Sequence, residues 1–136
     1  MARGGVRKAV DRAEFASYVQ VADGFRQAAE TAEAFEYWNA AGLLIVHAAI
    51  AYADALNIRT AGVKSQGEDH HESIALLREN TAASEAQRNA LEHLAKILDH
   101  KNAVAYSGAI YTARDTAVLR RHLDRFRRWA VSVLEA

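Results

Sequence analysis

The residues best suited to acid–base and phosphate chemistry lie in one stretch late in the chain. His93 and His100 carry imidazoles that titrate near neutral pH, while Arg88 and Lys101 carry cations that can hold a phosphate. Tyr106 adds a phenol, which is a poor proton shuttle at pH 7 because its ordinary pKa is about 10. These five residues are the candidates for a catalytic set in which histidine moves protons and a cation binds phosphate.

Arg88 and His93 would share one helix, and their spacing in it keeps them apart. Residues five apart in a helix point about 140° away from each other, so the two side chains do not converge on one substrate within one chain. Arg88 instead lies four residues before Glu92, the spacing of an ordinary surface ion pair.

A second set of polar residues falls on predicted apolar surfaces. His47 and Asp54 are seven residues apart, two turns along one face of a very apolar helix. They either line a polar pocket or are satisfied by hydrogen bonds within the core, as buried polar groups usually are. Asn102 follows Leu98 by four residues and so falls on the apolar stripe of its helix. We interpret His47 and Asp54 as one side of a polar seam that Asn102 and Tyr106 complete.

Metal binding is not predicted. The Glu-x-x-His spacing of di-iron bundles occurs only from Glu68 to His71, in a predicted loop. His70 and His71 are adjacent and would point about 100° apart on a helix, so they cannot readily share a metal. We expect no metal and no cofactor. One of the two histidines is expected to make a capping or linker contact, with a catalytic role as the alternative, and His70 is also a candidate for the polar seam.

The last predicted helix is strongly basic, with six arginines against two aspartates. A basic helical face can bind a phosphate backbone through counterion release. The alternative is a solvated face with internal pairs such as Arg120 with Asp124. The residues we take as nucleic-acid candidates are Arg120, Arg121, Arg125 and Arg128.

Composition determines the elements that must position these residues. The chain has 136 residues, no proline and many alanines, and it lacks hairpin signals, so an all-α fold is predicted. The absence of cysteine excludes disulfides and thiol nucleophiles. Lys plus Arg and Asp plus Glu balance at 17 each, so net charge predicts no partner.

The helix boundaries follow from capping signals and apolar spacing. Pairs that fit capping boxes open four of the predicted helices: Asp11 with Glu14, Asp69 with Glu72, Ser84 with Gln87, and Thr112 with Asp115. A central helix begins at Trp38 after a break near 35–37 and runs to about Arg59, and the fourth helix runs to Ser107-Gly108. We expect a mobile basic lead-in at 1–10, then one domain over 11–136, an antiparallel bundle of four long helices and one short one.

The sequence predicts a cytoplasmic protein without membrane attachment. The basic N-terminus is not followed by the apolar run of a signal peptide. The apolar part of the central helix, 40–53, is too short to span a membrane and contains His47.

Several short motifs, taken in order, resemble the HEPN domain family. They are Tyr37-Trp38-Asn39-Ala40-Ala41, the run from His47 to Leu56, Asp69-His70 before Leu76-Leu77, and Lys101-Asn102 to Tyr106. The resemblance covers about residues 12–135. It implies a helical bundle that usually forms homodimers, is often found beside minimal nucleotidyltransferases, and binds nucleotides or cleaves RNA without metal through an Arg-x4–6-His motif before the last helix.

The chain departs from that motif at the expected place. Lys101-Asn102-x-x-x-Tyr106 has lysine for arginine and tyrosine for histidine, while Arg88-Asn89-x-x-x-His93 fits the letters about three turns too early. The first hypothesis is therefore a non-catalytic HEPN-like binding or assembly module that binds RNA or a nucleotide as a homodimer.

The second hypothesis is a metal-independent endoribonuclease, the toxin of a toxin–antitoxin pair. It would use His93 or His100 as the acid/base and Arg88 or Lys101 on the phosphate. Its partner protein would be an antitoxin or a nucleotidyltransferase.

Overall fold

The computed structural model describes residues 6–66 and 70–136, which are mostly helical, as predicted. The helices are α1 Phe15–Ala34, α2 Trp38–Ala61, α3 His71–Asn80, α4 Glu85–Leu98, α5 Lys101–Ala105 and α6 Ala113–Leu134. A short 3₁₀ helix, Arg12–Glu14, precedes α1, and two strands, β1 Val6–Ala9 and β2 Val63–Gln66, pair with each other.

The central helix α2 is the core of the molecule, and fourteen of its 24 residues are buried. It packs against α1, α3, α4, α5 and α6, so apolar residues are needed around most of its circumference. Its length and composition would suffice to cross a membrane, contrary to the shorter apolar span that we expected. However, 78% of its most apolar window is buried inside this fold.

Capping residues confirm several predicted helix starts. Ser84 accepts a hydrogen bond from the Gln87 amide, and Thr112 with Asp115 forms a complete capping box. Asp11 caps the 3₁₀ helix through the Ala13 amide, which places a tight turn before α1. The predicted cap at Asp69 lies outside the described residues.

The predicted fourth helix is interrupted. Instead of continuing to Ser107, α4 ends at Leu98 and α5 begins at Lys101. The break turns the chain so that Val104 packs on Gly42 of α2, where a Cβ would lie 3.1 Å from Val104 Cγ1. Asn102 is consequently exposed, and its predicted place on the apolar stripe is wrong because the helical register does not continue through Asp99 and His100.

The β-ribbon also departs from prediction. Residues 6–9, which we expected in a mobile lead-in, pair antiparallel with 63–66, and Arg7 donates to Glu72 (2.8 Å) and Glu79 (2.9 Å) of α3. Gly62 ends α2 with a positive φ of 68°, which turns the chain into β2. Two four-residue strands that meet only in three dimensions leave no periodic pattern in the sequence, so they were missed.

Candidate functional site

A groove runs along the outer side of α4 and α6. Leu91 and Leu94 of α4 and Leu119, Leu123 and Phe126 of α6 are buried in one core cluster, which fixes the two helices side by side. The groove above them has a volume of about 660 Å³ and is lined by Ala86, Asn89, Ala90, Glu92, His93, Arg125, Arg128, Trp129 and Ser132.

The charge of the groove comes mainly from two arginines. Arg125 and Arg128 are exposed, and within residues 6–66 and 70–136 neither forms an ion pair. Glu92 is the acidic residue of the lining. Trp129 is partly buried, with its ring 6.0 Å from that of Phe126, so the indole is held in place. The groove thus offers two guanidiniums beside a fixed aromatic ring.

His93 connects the groove to a second histidine on the opposite helix. Its Nδ1 lies 2.9 Å from Nδ1 of His122, and the ring centroids are 5.1 Å apart. Burial, and then the charge of Arg125, lowers the pKa of His93. Burial, and then His93 itself, lowers the pKa of His122. Both shifts favour the neutral form of the pair, in which one ring donates to the other.

Only part of the predicted arginine set reaches this groove. Arg125 and Arg128 line it, whereas Arg120 donates through Nε (3.1 Å) and Nη2 to Glu33 of α1 and so ties two helices together. Arg121 and Arg88 are exposed and do not line the groove. The predicted phosphate-binding role of Arg88 therefore has no support in this geometry.

The other catalytic candidates lie around α5 and do not line the groove. His100 Nδ1 is 2.6 Å from the hydroxyl of Tyr111, and the charge of Lys101 reaches His47. Tyr106 is 78% exposed. The structure thus divides the proposed catalytic residues between two places.

The predicted polar seam is not formed as one unit. His47 packs on Phe25, with centroids 5.5 Å apart, and burial followed by the charge of Lys101 lowers its pKa. Asp54 is buried at another level of α2, where burial raises its pKa to about 6 although Lys64 lies 3.9 Å away. The expectation that Asn102 and Tyr106 complete this seam is wrong, since both are exposed.

His70 occupies the turn before α3 and is partly buried. Its carbonyl oxygen accepts a hydrogen bond from the Ser73 amide at 3.0 Å. It does not line the groove between α4 and α6.

Three features were not among the residues proposed from the sequence. They are Trp129 in the groove lining, His122 as the partner of His93, and the Tyr52 hydroxyl with its hydrogen bonds to Asp23, Arg26 and Arg127. Each depends on which helices are neighbours, and one helix's periodicity does not show that.

The described ranges, 6–66 and 70–136, contain no group of three His, Cys, Asp or Glu residues that could hold a metal ion. Comparison of the chain with protein-family models, with curated proteins and with solved structures finds no match.

Proposed function

We propose that the chain is a non-catalytic, HEPN-like binding and assembly module that acts as a homodimer and binds RNA or a nucleotide in the groove between α4 and α6. The observation that carries this proposal is the convergence of Arg125, Arg128 and Trp129 on one concave surface. Neither arginine is neutralised by a carboxylate among the described residues, so both guanidiniums remain available for a ligand.

The chemistry of the lining suits a ligand that has both a phosphate and a base. Guanidinium groups bind phosphate oxygens in a bidentate manner, and an indole offers a surface on which any base can stack. Asn89 and Ser132 add hydrogen-bonding groups at the edges. A volume of about 660 Å³ is in the range of small-ligand sites, so one nucleotide of a strand would occupy it.

The same geometry favours binding over cleavage. Arg88, the arginine of the letter-matching motif, is outside the groove, and Nδ1 of His93 is engaged by His122. Lys101 and Tyr106 lie on and after α5, apart from the arginines of the groove.

Binding is tested by fluorescence anisotropy with a ten-nucleotide single-stranded RNA carrying a pH-insensitive dye. Replacing Arg125 and Arg128 together by alanine is expected to weaken binding at least about tenfold, since each charge-assisted contact contributes roughly 1.5–3 kcal/mol. The matched control is Arg78→Ala with Arg114→Ala, which removes two exposed arginines that also lack ion pairs within the described residues. Equal losses in both double variants, or no binding by the unmodified protein, would overturn the proposal. Adenosine monophosphate as competitor distinguishes a nucleotide site from one that needs a strand.

Homodimerisation is tested by light scattering at micromolar concentration. A dimer is expected under the proposal. A monomer that still binds RNA through Arg125 and Arg128 would remove the assembly part of the proposal and leave the binding part.

One observation favours the alternative, a metal-independent endoribonuclease of the toxin type: His93 shares the groove with Arg125, so an imidazole and a guanidinium face the same ligand. Incubating the purified protein with the same RNA in the presence of a chelator decides between the two. Multiple-turnover cleavage abolished by His93→Ala would replace the binding module by the enzyme, and intact RNA supports the binding module.

A further inference from the structure

His93 in the groove wall and His122 on α6 are in contact through two ring nitrogens that can each bind a proton. His93 lines the groove, while His122 stands behind it on α6. Their Nδ1 atoms are 2.9 Å apart, a distance that requires one hydrogen between them. Because Nδ1 of His93 is occupied in this way, Nε2 is the His93 nitrogen left for a ligand in the groove.

We infer that the His93–His122 pair takes up one proton from solvent when a phosphate enters the groove, so that binding strengthens as the pH falls. The inference rests on the proposed function, because it assigns a regulation to the same groove. In the proton-bound state one imidazolium donates through Nδ1 to its neutral neighbour, and His93 presents Nε2–H to the phosphate.

The surroundings explain why the pair is neutral without a ligand. The charged groups around it are Glu92 and Lys96 on α4, His100 at the junction with α5, and Arg121 and Arg125 on α6. Glu92 is the acidic residue among these groups, whereas Lys96, Arg121 and Arg125 are cationic. Together with partial burial, they oppose an additional positive charge on the pair.

An anion in the groove reverses this balance. A phosphate held by Arg125 offsets the charge of the guanidinium and attracts a proton to the neighbouring imidazole. Only one proton is expected, since two protonated rings would point their Nδ1–H groups at each other and lose the hydrogen bond. The hydrogen bond between the two rings therefore limits the pair to the uptake of one proton.

Calorimetry of binding in two buffers with different ionisation enthalpies measures the proton directly. The probe is a ten-nucleotide oligouridylate with a 5′-hydroxyl, because uracil and the phosphodiesters do not titrate near neutral pH. At about pH 6.5 we expect uptake of a fraction of one proton per RNA bound, and about fivefold tighter binding at about pH 6 than at about pH 7.5, within the tenfold limit per pH unit for one linked proton.

His122→Asn is the decisive variant, because asparagine places a hydrogen-bonding group near the position of Nδ1 but cannot titrate. It is expected to bind as the unmodified protein does in mild alkali and to lose both the proton uptake and the gain in acid. His71→Asn, an exposed histidine away from the groove, should retain both. Unchanged proton uptake in His122→Asn, or binding dependent on Arg125 without proton uptake in the unmodified protein, overturns the inference while leaving the proposed function intact.

A second measurement does not depend on RNA. Imidazole nitrogen NMR follows the protonation of His93 and His122 with and without sodium sulfate, an anion that stays fully ionised near neutral pH. Sulfate should raise the titration midpoint of the pair. Equal midpoints with and without sulfate would count against the inference even if the RNA experiment shows no binding.

Discussion

The hydroxyl of Tyr52 donates a hydrogen bond to the carboxylate of Asp23, which joins the buried centre of α2 to α1. Arg26 and Arg127 donate hydrogen bonds to the hydroxyl oxygen of Tyr52 at 3.3 Å and 3.0 Å. Side chains of three helices, α1, α2 and α6, are therefore joined through one phenol oxygen. Tyr52 itself is completely buried.

Tyr52→Phe tests the importance of this junction. The change keeps the ring and leaves Asp23 and both arginines without their shared partner, so we expect a loss of about 1–3 kcal/mol in the free energy of unfolding. Urea denaturation measures it. Tyr106→Phe, on a side chain that is 78% exposed, is the matched control and should change stability by less than about 0.5 kcal/mol. Equal effects of the two variants would contradict the prediction.

Asp54→Asn should stabilise the folded protein at neutral pH, because it replaces a buried carboxyl that ionises there. Burial raises the pKa of Asp54 from 3.8 to about 6, against the opposing charge of Lys64. A raised pKa in the folded state means that this group's stabilisation is complete below its unfolded pKa and is lost as the pH rises through about 6. Asparagine does not ionise, so the variant should gain about 1–3 kcal/mol relative to the unmodified protein at about pH 7.5.

The measurement is urea denaturation of both proteins at two pH values. At about pH 4.5 the folded carboxyl is already protonated, so the gain from asparagine should be much smaller. The pKa of about 6 already includes the attraction of Lys64, and at about pH 4.5 the protonated carboxyl has no ion pair with Lys64 to lose. A gain that is the same at both pH values would show that Asp54 does not titrate in this range.

Asn39→Ala should loosen the segment that enters α6. The side-chain nitrogen of Asn39 donates to the Ala109 carbonyl, and its side-chain oxygen accepts from the backbone amide of Tyr111, both at 2.8 Å. Losing two hydrogen bonds is expected to cost about 1–3 kcal/mol and to speed hydrogen exchange at the Tyr111 amide. Asn102→Ala, at an exposed asparagine, is the control. Unchanged exchange at Tyr111 would refute this role for Asn39.

The salt dependence of RNA binding counts the phosphates that the groove contacts. Each phosphate neutralised on a single strand contributes about 0.7 to the slope of log affinity against log salt concentration. Replacing Arg125 and Arg128 by alanine should therefore reduce the slope by about 1.4. Replacing Arg78 and Arg114 should leave it unchanged. An equal slope in all three proteins would place the phosphates elsewhere.

The sequence predicted those parts of the fold that depend on local signals. The caps at Ser84 and Thr112 were confirmed because a hydroxyl three residues before a suitable partner satisfies a backbone amide regardless of the rest of the chain. The buried character of α2 was also readable, because an apolar surface on all sides requires neighbours on all sides.

The site required information that one sequence does not carry. His93 and Arg125 were both candidates, but only the packing of α4 against α6 brings them to one groove. The break at Asp99 and His100 is set by the fit of Val104 on Gly42 and by the bond from His100 to Tyr111, and neither contact is local. The predicted position of Asn102 in the polar seam was wrong because this residue follows the break.

The pairing of β1 with β2 determines the order in which this chain can fold. Ala9 meets Val63 across a loop that contains the whole of α1 and α2, whereas those two helices are joined by a short turn and can pack early. Closing so long a loop costs chain entropy that only a prior docking of α1 on α2 can reduce. We therefore expect the ribbon to form last, and its few hydrogen bonds to be the first to open when the native protein fluctuates.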